Sequence, residues 1–317
     1  MDKYPNNYHF KDPNDHNPWK KDENQFSKEK QENPNKDNNT YQKPNEKDYY
    51  NQLKEKEAPN NADKSCTNKL PNDEDYGSAI KDFDYSLIED LLKVADKNKE
   101  NIILLTTGSF NPVHRMHLEI LNIAYKFISK MNKYNVLCGF ISPSADCYVR
   151  RKMPPLIPFN KRCEMINVAI QEFNEENKDD DHIKIFLHPW EGSQIKFIDF
   201  PYVIKEIQNR LYKCKGKINL VYVCGMDHFI NCRSAFYRNV IAIDRKPFQN
   251  HKYKDIPNKF IYLIQDENSN SFSSTAIKDS FLQGKIENIS KITFPKVAEM
   301  VIKFFCQNVK FNDNKYY

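Results

Sequence analysis

The stretch Gly108-Ser109-Phe110-Asn111-Pro112-Val113-His114-Arg115-Met116-His117 joins an apolar β-like run, Ile102–Leu105, to a helical run, Leu118–Tyr125. A strand that turns through a glycine into a helix leaves backbone N–H groups pointing outward, and the helix dipole favours negative charge there. The turn is therefore suited to an anion. His114 and His117 lie three residues apart on the opening turn and face one direction. This pair predicts a phosphate that reacts at the site.

Short apolar runs alternate with longer helical patterns in the rest of the chain. The patterns predict strands over 102–107, 136–141, 183–187, 218–224, 240–243 and 260–264, and helices over 116–131, 160–173, 202–212, 274–283 and 294–305. This alternation predicts an α/β fold, a Rossmann-like doubly wound parallel sheet with helices on both faces. Ligands of such sheets bind at the carboxyl ends of the strands, where Gly108 and Gly225 stand.

Composition divides the 317 residues into two parts. Residues 1–76 are rich in Asn, Asp, Lys, Glu, Pro and Gln, and they contain no glycine and almost no Leu, Ile or Val. Such a segment buries too little apolar surface to offset its ordering entropy, so we expect a disordered, low-complexity tail. Residues 77–317 are then expected to form one catalytic domain, which is long enough for a sizeable core.

The net charge of +5 is divided unevenly. The first 76 residues carry 13 Lys against 16 Asp or Glu, whereas residues 77–317 carry 35 Lys or Arg against 27 Asp or Glu. A basic folded domain suits anionic ligands such as nucleotides. No RNA or DNA motif accompanies the positive charge, so nucleic acid is not an expected partner.

The eight cysteines form no CxxC pair, so neither a zinc site nor a disulfide framework is predicted. No apolar run approaches the length of a membrane span, and the N-terminus lacks the apolar region of a signal peptide. We therefore expect a cytoplasmic or nuclear protein with no membrane partner.

The stretch that begins at Gly108 resembles the GxFxPxxx(x)H motif of the nucleotidyltransferase superfamily, and His114–His117 matches its (T/H)xxH part. Later segments resemble those of eukaryotic nicotinamide/nicotinic acid mononucleotide adenylyltransferases. They are the ISPxxDxY segment at Ile141–Tyr148, the WE pair at Trp190-Glu191, the CGxD turn at Cys224–Asp227 and the SSTxxR motif at Ser273–Lys278. The resemblance runs in order from about Ile102 to Phe305.

The resemblance implies a sheet of the nucleotidyltransferase type and an enzyme. ATP and nicotinamide mononucleotide, or also its nicotinic acid form, would give NAD and pyrophosphate by in-line attack of the mononucleotide phosphate on the α-phosphorus of ATP. Because that phosphate is already ionised, catalysis rests on positioning and on charge stabilisation. Mg²⁺ would be bound mainly through the ATP phosphates, with no protein metal ligand assigned.

The resemblance also implies residue roles. Phosphate contacts and catalysis fall to His117, His114, Arg150 and Lys278, and nucleotide binding falls to Gly108, Ser109, Phe110, Tyr148, Trp190, Gly225, Asp227, Arg245, Asn270, Ser274 and Thr275. Trp190 would stack on the nicotinamide ring, and Asp227 would accept from ribose hydroxyls. Lys278 stands where the family has an arginine, which keeps the charge but not the bidentate fork. A second family tryptophan is missing, and Phe229 or Phe236 would take its place.

Two alternatives stay open. The same fold could use another acceptor, as cytidylyltransferases and phosphopantetheine enzymes do, although Trp190 and the segment Ile141–Tyr148 favour the mononucleotide. A nucleotide-binding or chaperone-like protein with weak turnover would fit Lys278 and the short stretch between Gly225 and Arg245. The sequence leaves open the preference between the two mononucleotides, the role of the tail, and whether identical chains associate.

Overall fold

A computed structural model describes residues 80–150, 155–232, 239–244, 261–265 and 272–308. The predicted tail over 1–76 and the domain boundary after it lie outside these ranges. The described strands are β1 Glu100–Gly108, β2 Tyr134–Pro143, β3 Ile185–Leu187, β4 Ile218–Gly225, β5 Val240–Asp244 and β6 Ile261–Gln265. The described helices are α1 Ser86–Val94, α2 Arg115–Ser129, α3 Asp146–Val149, α4 Phe159–Glu176, α5 Phe200–Leu211, α6 Met226–Cys232, α7 Ser274–Leu282, α8 Ile289–Ile292 and α9 Pro295–Asn308, with a 3₁₀ turn at Ile286–Asn288.

The described strands form one parallel sheet in the order β3-β2-β1-β4-β5-β6. The parallel sheet predicted from the alternation of runs is confirmed, although the predicted strand 183–187 is reduced to Ile185–Leu187. From β1 the chain builds outward through β2 to β3, and it then returns to place β4 on the other side of β1. In sheets of this order ligands bind in the crevice at the carboxyl ends of the strands on either side of that switch, here β1 and β4.

Helices cover both faces of the sheet, as the doubly wound prediction requires. On one face, Ile103 and Leu105 of β1 join a buried cluster with Val203 and Ile207 of α5. On the other face, Gly139 of β2 meets α2 so closely that an added Cβ would lie 3.2 Å from a methyl group of Leu121. Strands that are buried on both sides need the nearly continuous apolar runs seen in the sequence.

Residues just before α1 pack beside β3 at one edge of the sheet. Phe83 packs against Phe140 with ring centroids 4.8 Å apart, and the Tyr85 hydroxyl lies 2.7 Å from Nε2 of His188. His188 is fully buried, and burial lowers its pKa to about 4, so the ring is neutral at physiological pH. On the same segment Asp82 forms an ion pair with Arg210 of α5 at 2.6 Å.

None of the helices in the described ranges combines the length and the apolar character that a membrane crossing requires.

Candidate functional site

Residues 108–114 connect β1 to α2. They are here called the phosphate loop, after the sequence prediction that they bind phosphate. Phe110 has φ of 43°, a left-handed conformation that costs free energy in a non-glycine residue, and its side chain is only 2% exposed. The Phe110 ring covers Gly108, where an added Cβ would lie 3.2 Å from a ring carbon. Glycine at 108 therefore permits the close approach of a ring that holds the loop in an unusual shape.

The two histidines cap α2 reciprocally. His114 is the N-cap residue, and its backbone N–H donates to Nδ1 of His117 at 3.0 Å, while the His114 side chain faces the backbone N–H of His117. The rings stack with centroids 3.5 Å apart, and the edge of Phe110 packs against His117. Because Nδ1 of His117 accepts, a neutral ring at this position carries its proton on Nε2.

Arg162 of α4 ties the phosphate loop to its neighbours. Its guanidinium is fully buried and donates to the carbonyl oxygens of Ser109 at 2.7 Å, Ser144 at 2.7 Å and Ile157 at 3.0 Å. It also pairs with the carboxylate of Asp146 at 2.7 Å. One side chain thus joins the loop after β1, the turn after β2 and the chain that leads into α4.

Further hydrogen bonds fix the same three segments. The Gly108 carbonyl accepts from the backbone N–H of Ser144 at 2.9 Å. The buried side chain of Asn111 accepts from Ile157 N–H at 2.9 Å and donates to the Pro155 carbonyl at 3.2 Å. These bonds therefore hold the carboxyl ends of β1 and β2 together.

The start of α7 also contacts the phosphate loop. The Ser274 hydroxyl donates to the Pro112 carbonyl at 2.7 Å, and Ser273 caps the helix by accepting from Ala276 N–H at 3.0 Å. Thr275 is exposed. Lys278 lies one turn further on and is 4% exposed, and burial lowers the pKa of its ammonium to about 8.

Trp190 and Glu191 follow β3, and their side chains contact different parts of the protein. Glu191 is 2% exposed and accepts from the Ser142 hydroxyl at 2.9 Å, and burial raises its pKa to about 7. The half-buried Trp190 ring packs against the core cluster, and the guanidinium of Arg210 lies 5.4 Å from its centroid. The described contacts thus connect Glu191, rather than the indole ring, to the carboxyl end of β2.

The remaining predicted residues fall at several places around this edge. The Asp227 carboxylate folds back over Gly225, where an added Cβ would lie 2.6 Å from Oδ1, so a larger residue at 225 would displace this carboxylate. On α3, the ring of Tyr148 stacks on Phe197 at 4.2 Å. Arg150 lies exposed at the end of that helix, and the described contacts do not connect it to the phosphate loop.

Four residues named from the sequence remain. Arg245, Asn270 and Phe236 lie outside the described residues. Phe229 is 3% exposed and belongs to the core cluster, so its ring does not offer a face to a ligand in place of the missing tryptophan.

Sequence reasoning missed Arg162 and assigned no role to the Glu191 carboxylate. A signal for Arg162 was present, since it lies three residues after Phe159 and four before Ile166, on the apolar stripe of α4. An arginine in such a stripe must find oxygen partners in the interior. No comparable signal pointed to the burial of Glu191.

The sequence was also compared with known proteins. Residues 105–280, more than half of the chain, match the family model described as cytidylyltransferase-like. The chain belongs to this family. The matched region begins in β1 and ends in α7, so it includes the phosphate loop, Arg162, the Trp190-Glu191 pair and Lys278.

Proteins with sequences similar to this chain include nicotinamide/nicotinic acid mononucleotide adenylyltransferases. The Danio rerio protein of that name, number 2, is 31% identical over 101 residues, which is 32% of this chain and 29% of the relative. The Arabidopsis thaliana protein is 27% identical over 135 residues, which is 41% of this chain and 51% of the relative. A solved structure of the Plasmodium falciparum nicotinic acid mononucleotide adenylyltransferase complexed with APC is 19% identical with a TM-score of 0.48, and the match covers 64% of this chain and 95% of that one.

The position of Arg162 predicts a large stability effect. Arg162→Met should lower the free energy of unfolding by about 3–5 kcal/mol, because it leaves three carbonyl oxygens and the Asp146 carboxylate without their donor. Arg115→Met is the matched control, since Arg115 is partly exposed in its pair with Glu176 and should cost about 1 kcal/mol. Urea unfolding of both variants gives the comparison, and equal losses would contradict the role of Arg162.

Burial of Glu191 predicts a pH-dependent stability. Its pKa is about 7 in the folded protein against 4.5 in an open chain, so the folded state holds the proton between these values. The contribution of Glu191 to the free energy of unfolding therefore falls as pH rises from 4.5 to 7, by about 3 kcal/mol at most. Glu191→Gln stays neutral and should lack this fall, so its stability relative to the unsubstituted protein should rise over that window.

Glu164→Gln provides the control for that measurement, because Glu164 lies exposed in a surface ion pair with Lys161. Unfolding free energies at pH 5, 6, 7 and 8 should show a changed slope for Glu191→Gln alone. Parallel curves for all three proteins would rule out a proton on buried Glu191.

Proposed function

We propose that this protein transfers the adenylyl group of ATP to nicotinamide mononucleotide and so makes NAD and pyrophosphate. An oxygen of the mononucleotide phosphate forms a bond to the α-phosphorus of ATP, and the bond from that phosphorus to the β-phosphate bridge breaks. Pyrophosphate leaves with the electron pair. The names of the relatives and the five sequence segments shared in order with that enzyme class support the acceptor and the nucleotide.

The reciprocal histidine cap is the observation that carries the proposal. It engages Nδ1 of His117 within the protein, so His117 would contact an anion at the N-terminus of α2 through Nε2, where backbone N–H groups and the helix dipole also favour negative charge. A donor held in this way needs no reorganisation when charge develops on the departing pyrophosphate. The stacked His114 ring fixes the orientation of His117.

Lys278 supplies positive charge from the second helix at the loop. Its helix is tied to Pro112 through Ser274, so α7 keeps its position relative to the phosphate loop. Burial lowers the pKa of the Lys278 ammonium to about 8, and the negative charge of a bound triphosphate would raise that pKa again. Arg150 would add charge from the exposed end of α3.

Mg²⁺ fits this arrangement as part of the nucleotide substrate. Within the described ranges, no group of three His, Cys, Asp or Glu side chains has a geometry suited to a metal ion. Mg²⁺ bound to phosphate oxygens and water needs no such group, and it would neutralise charge on the leaving pyrophosphate.

The choice of acceptor depends mainly on the position of the Trp190 ring. Trp190 would stack on the pyridine ring, yet its described neighbours are Arg210 and the core cluster. This placement favours, as the second candidate, a nucleotidyltransferase with another acceptor.

One assay compares these candidates. Purified protein is incubated with Mg²⁺, with ATP or CTP, and with nicotinamide mononucleotide, nicotinic acid mononucleotide or no acceptor, and both dinucleotide and pyrophosphate are measured. Dinucleotide from ATP and either mononucleotide supports the proposal. Absence of dinucleotide in every arm rejects it, and the two mononucleotide arms determine the preference between acceptors.

His117→Asn should separate catalysis from folding. The asparagine oxygen can still accept from His114 N–H, but the side chain cannot supply the distal donor, so turnover should fall about 10²-fold or more with little change in unfolding temperature. His117→Ala should lose the cap as well, at a further cost of about 1 kcal/mol in stability. His182→Asn, at an exposed hydrogen bond to Asp180, serves as the control. Turnover of His117→Asn within twofold of the unsubstituted protein would exclude this role.

The lowered pKa of Lys278 predicts that the KM for ATP depends on pH. If the ammonium form binds the triphosphate, the KM for ATP should rise about tenfold between pH 7 and pH 9, because deprotonation begins near pH 8 in the free enzyme. Lys278→Arg keeps its charge over this range and should show a flat profile. The KM for the mononucleotide is measured in the same series, and the same rise in both proteins would contradict a contact between Lys278 and ATP.

A further inference from the structure

The carboxyl ends of β1 and β4 separate just where the proposed reaction would take place. Their backbone pairing runs from Asn101 with Ile218 to Leu105 with Tyr222. Beyond this point the two chains lead to the phosphate loop and to the turn at Gly225–Asp227. In the proposed reaction these two elements would hold the triphosphate and the adenosine ribose of ATP, so their relative position would determine how the α-phosphorus is presented to the acceptor.

A side-chain hydrogen bond continues the connection after the backbone pairing ends. The Tyr222 hydroxyl lies 2.7 Å from the hydroxyl of Thr107, the residue before Gly108. Both side chains point to the same face of the sheet, since Thr107 is two residues beyond Leu105 and Leu105 is paired with Tyr222. Tyr222 is 2% exposed, so this bond forms in a low-dielectric environment where its loss is costly.

The same hydroxyl also reaches α6. Nε2 of His228 lies 3.4 Å from the Tyr222 oxygen, and His228 directly follows Asp227. Phe200 packs against both rings, with centroids 5.2 Å from Tyr222 and 5.0 Å from His228. Burial raises the pKa of Tyr222, so the phenol keeps its proton and remains a donor.

We propose that Tyr222 is a positioning residue that links the phosphate loop, through Thr107, to the Gly225–Asp227 turn and so holds the α-phosphorus of bound ATP in place for attack by the acceptor. This inference rests on the proposed adenylyl transfer. Tyr222 need not contact either substrate. Loss of its hydroxyl should reduce the rate of the aligned reaction more than the binding of each substrate, because reaction rates depend steeply on the relative position of the reacting groups.

Two nearly isosteric substitutions remove the hydrogen bond from opposite sides. Tyr222→Phe and Thr107→Val should each lower kcat about tenfold and leave both KM values within twofold. The double variant should be no slower than Tyr222→Phe, since Tyr222→Phe already lacks both the bond to Thr107 and the contact with His228. Multiplied losses in the double variant, or a kcat unchanged in both single variants, would overturn the proposal.

Tyr125→Phe is the control variant, because it removes a phenol hydroxyl bonded to Asp181 on the side of α2 remote from the loop. Its kcat and KM values should equal those of the unsubstituted protein. The unfolding temperature of each variant is measured first. The kinetic constants are then measured below the unfolding transition of every variant, so that lost positioning is separated from lost folding.

Amide hydrogen exchange tests the role of Tyr222 without a measurement of enzyme activity. Tyr222→Phe should speed exchange in residues 107–113 and 225–229, whereas Tyr125→Phe should not. Unchanged exchange in both segments overturns the positioning role, even if NAD is made. If the unsubstituted protein makes no NAD, the proposed function fails, and the exchange data still decide whether Tyr222 connects the two segments.

Discussion

The site depends first on one buried positive charge. The guanidinium of Arg162 is removed from water, and its solvation is replaced by three backbone carbonyls and the Asp146 carboxylate. A charge in the interior is tolerated only when such acceptors are in place, so folding must bring the three chain segments to it. This requirement fixes loops that carry no regular structure of their own.

The phosphate loop shows why that constraint matters. Its shape includes a left-handed Phe110, which the local sequence alone does not favour. Arg162 holds the carbonyl of the preceding residue, and Asn111 holds the chain that leads into α4. Because these bonds hold the loop, the proposed phosphate contacts would need no ligand to organise them, which is the condition for preorganised charge stabilisation.

The regular parts of the fold were predictable because their signal is periodic. Apolar runs marked the strands, and the alternation of strands with helices was sufficient to predict a parallel sheet. The irregular parts were less accessible, since burial of a polar residue depends on partners distant in sequence. Ser109 and Arg162 are separated by 53 positions, and Ser142 and Glu191 by 49. A motif can indicate which residues contribute to a site, but it does not show which way a side chain points. The contact of Trp190 with Arg210 follows from tertiary packing.

The residues before β1 have a consequence for how this domain is delimited. The family model starts at residue 105, yet Phe83 and Tyr85 cover His188 and Phe140, which are both fully buried. A fragment trimmed to the family limits would lack half of β1 and would present a neutral imidazole and a phenylalanine ring to water. The packed domain therefore begins upstream of the region that matches the family model. A domain exchanged between relatives would have to include the segment that contains Phe83 and Tyr85.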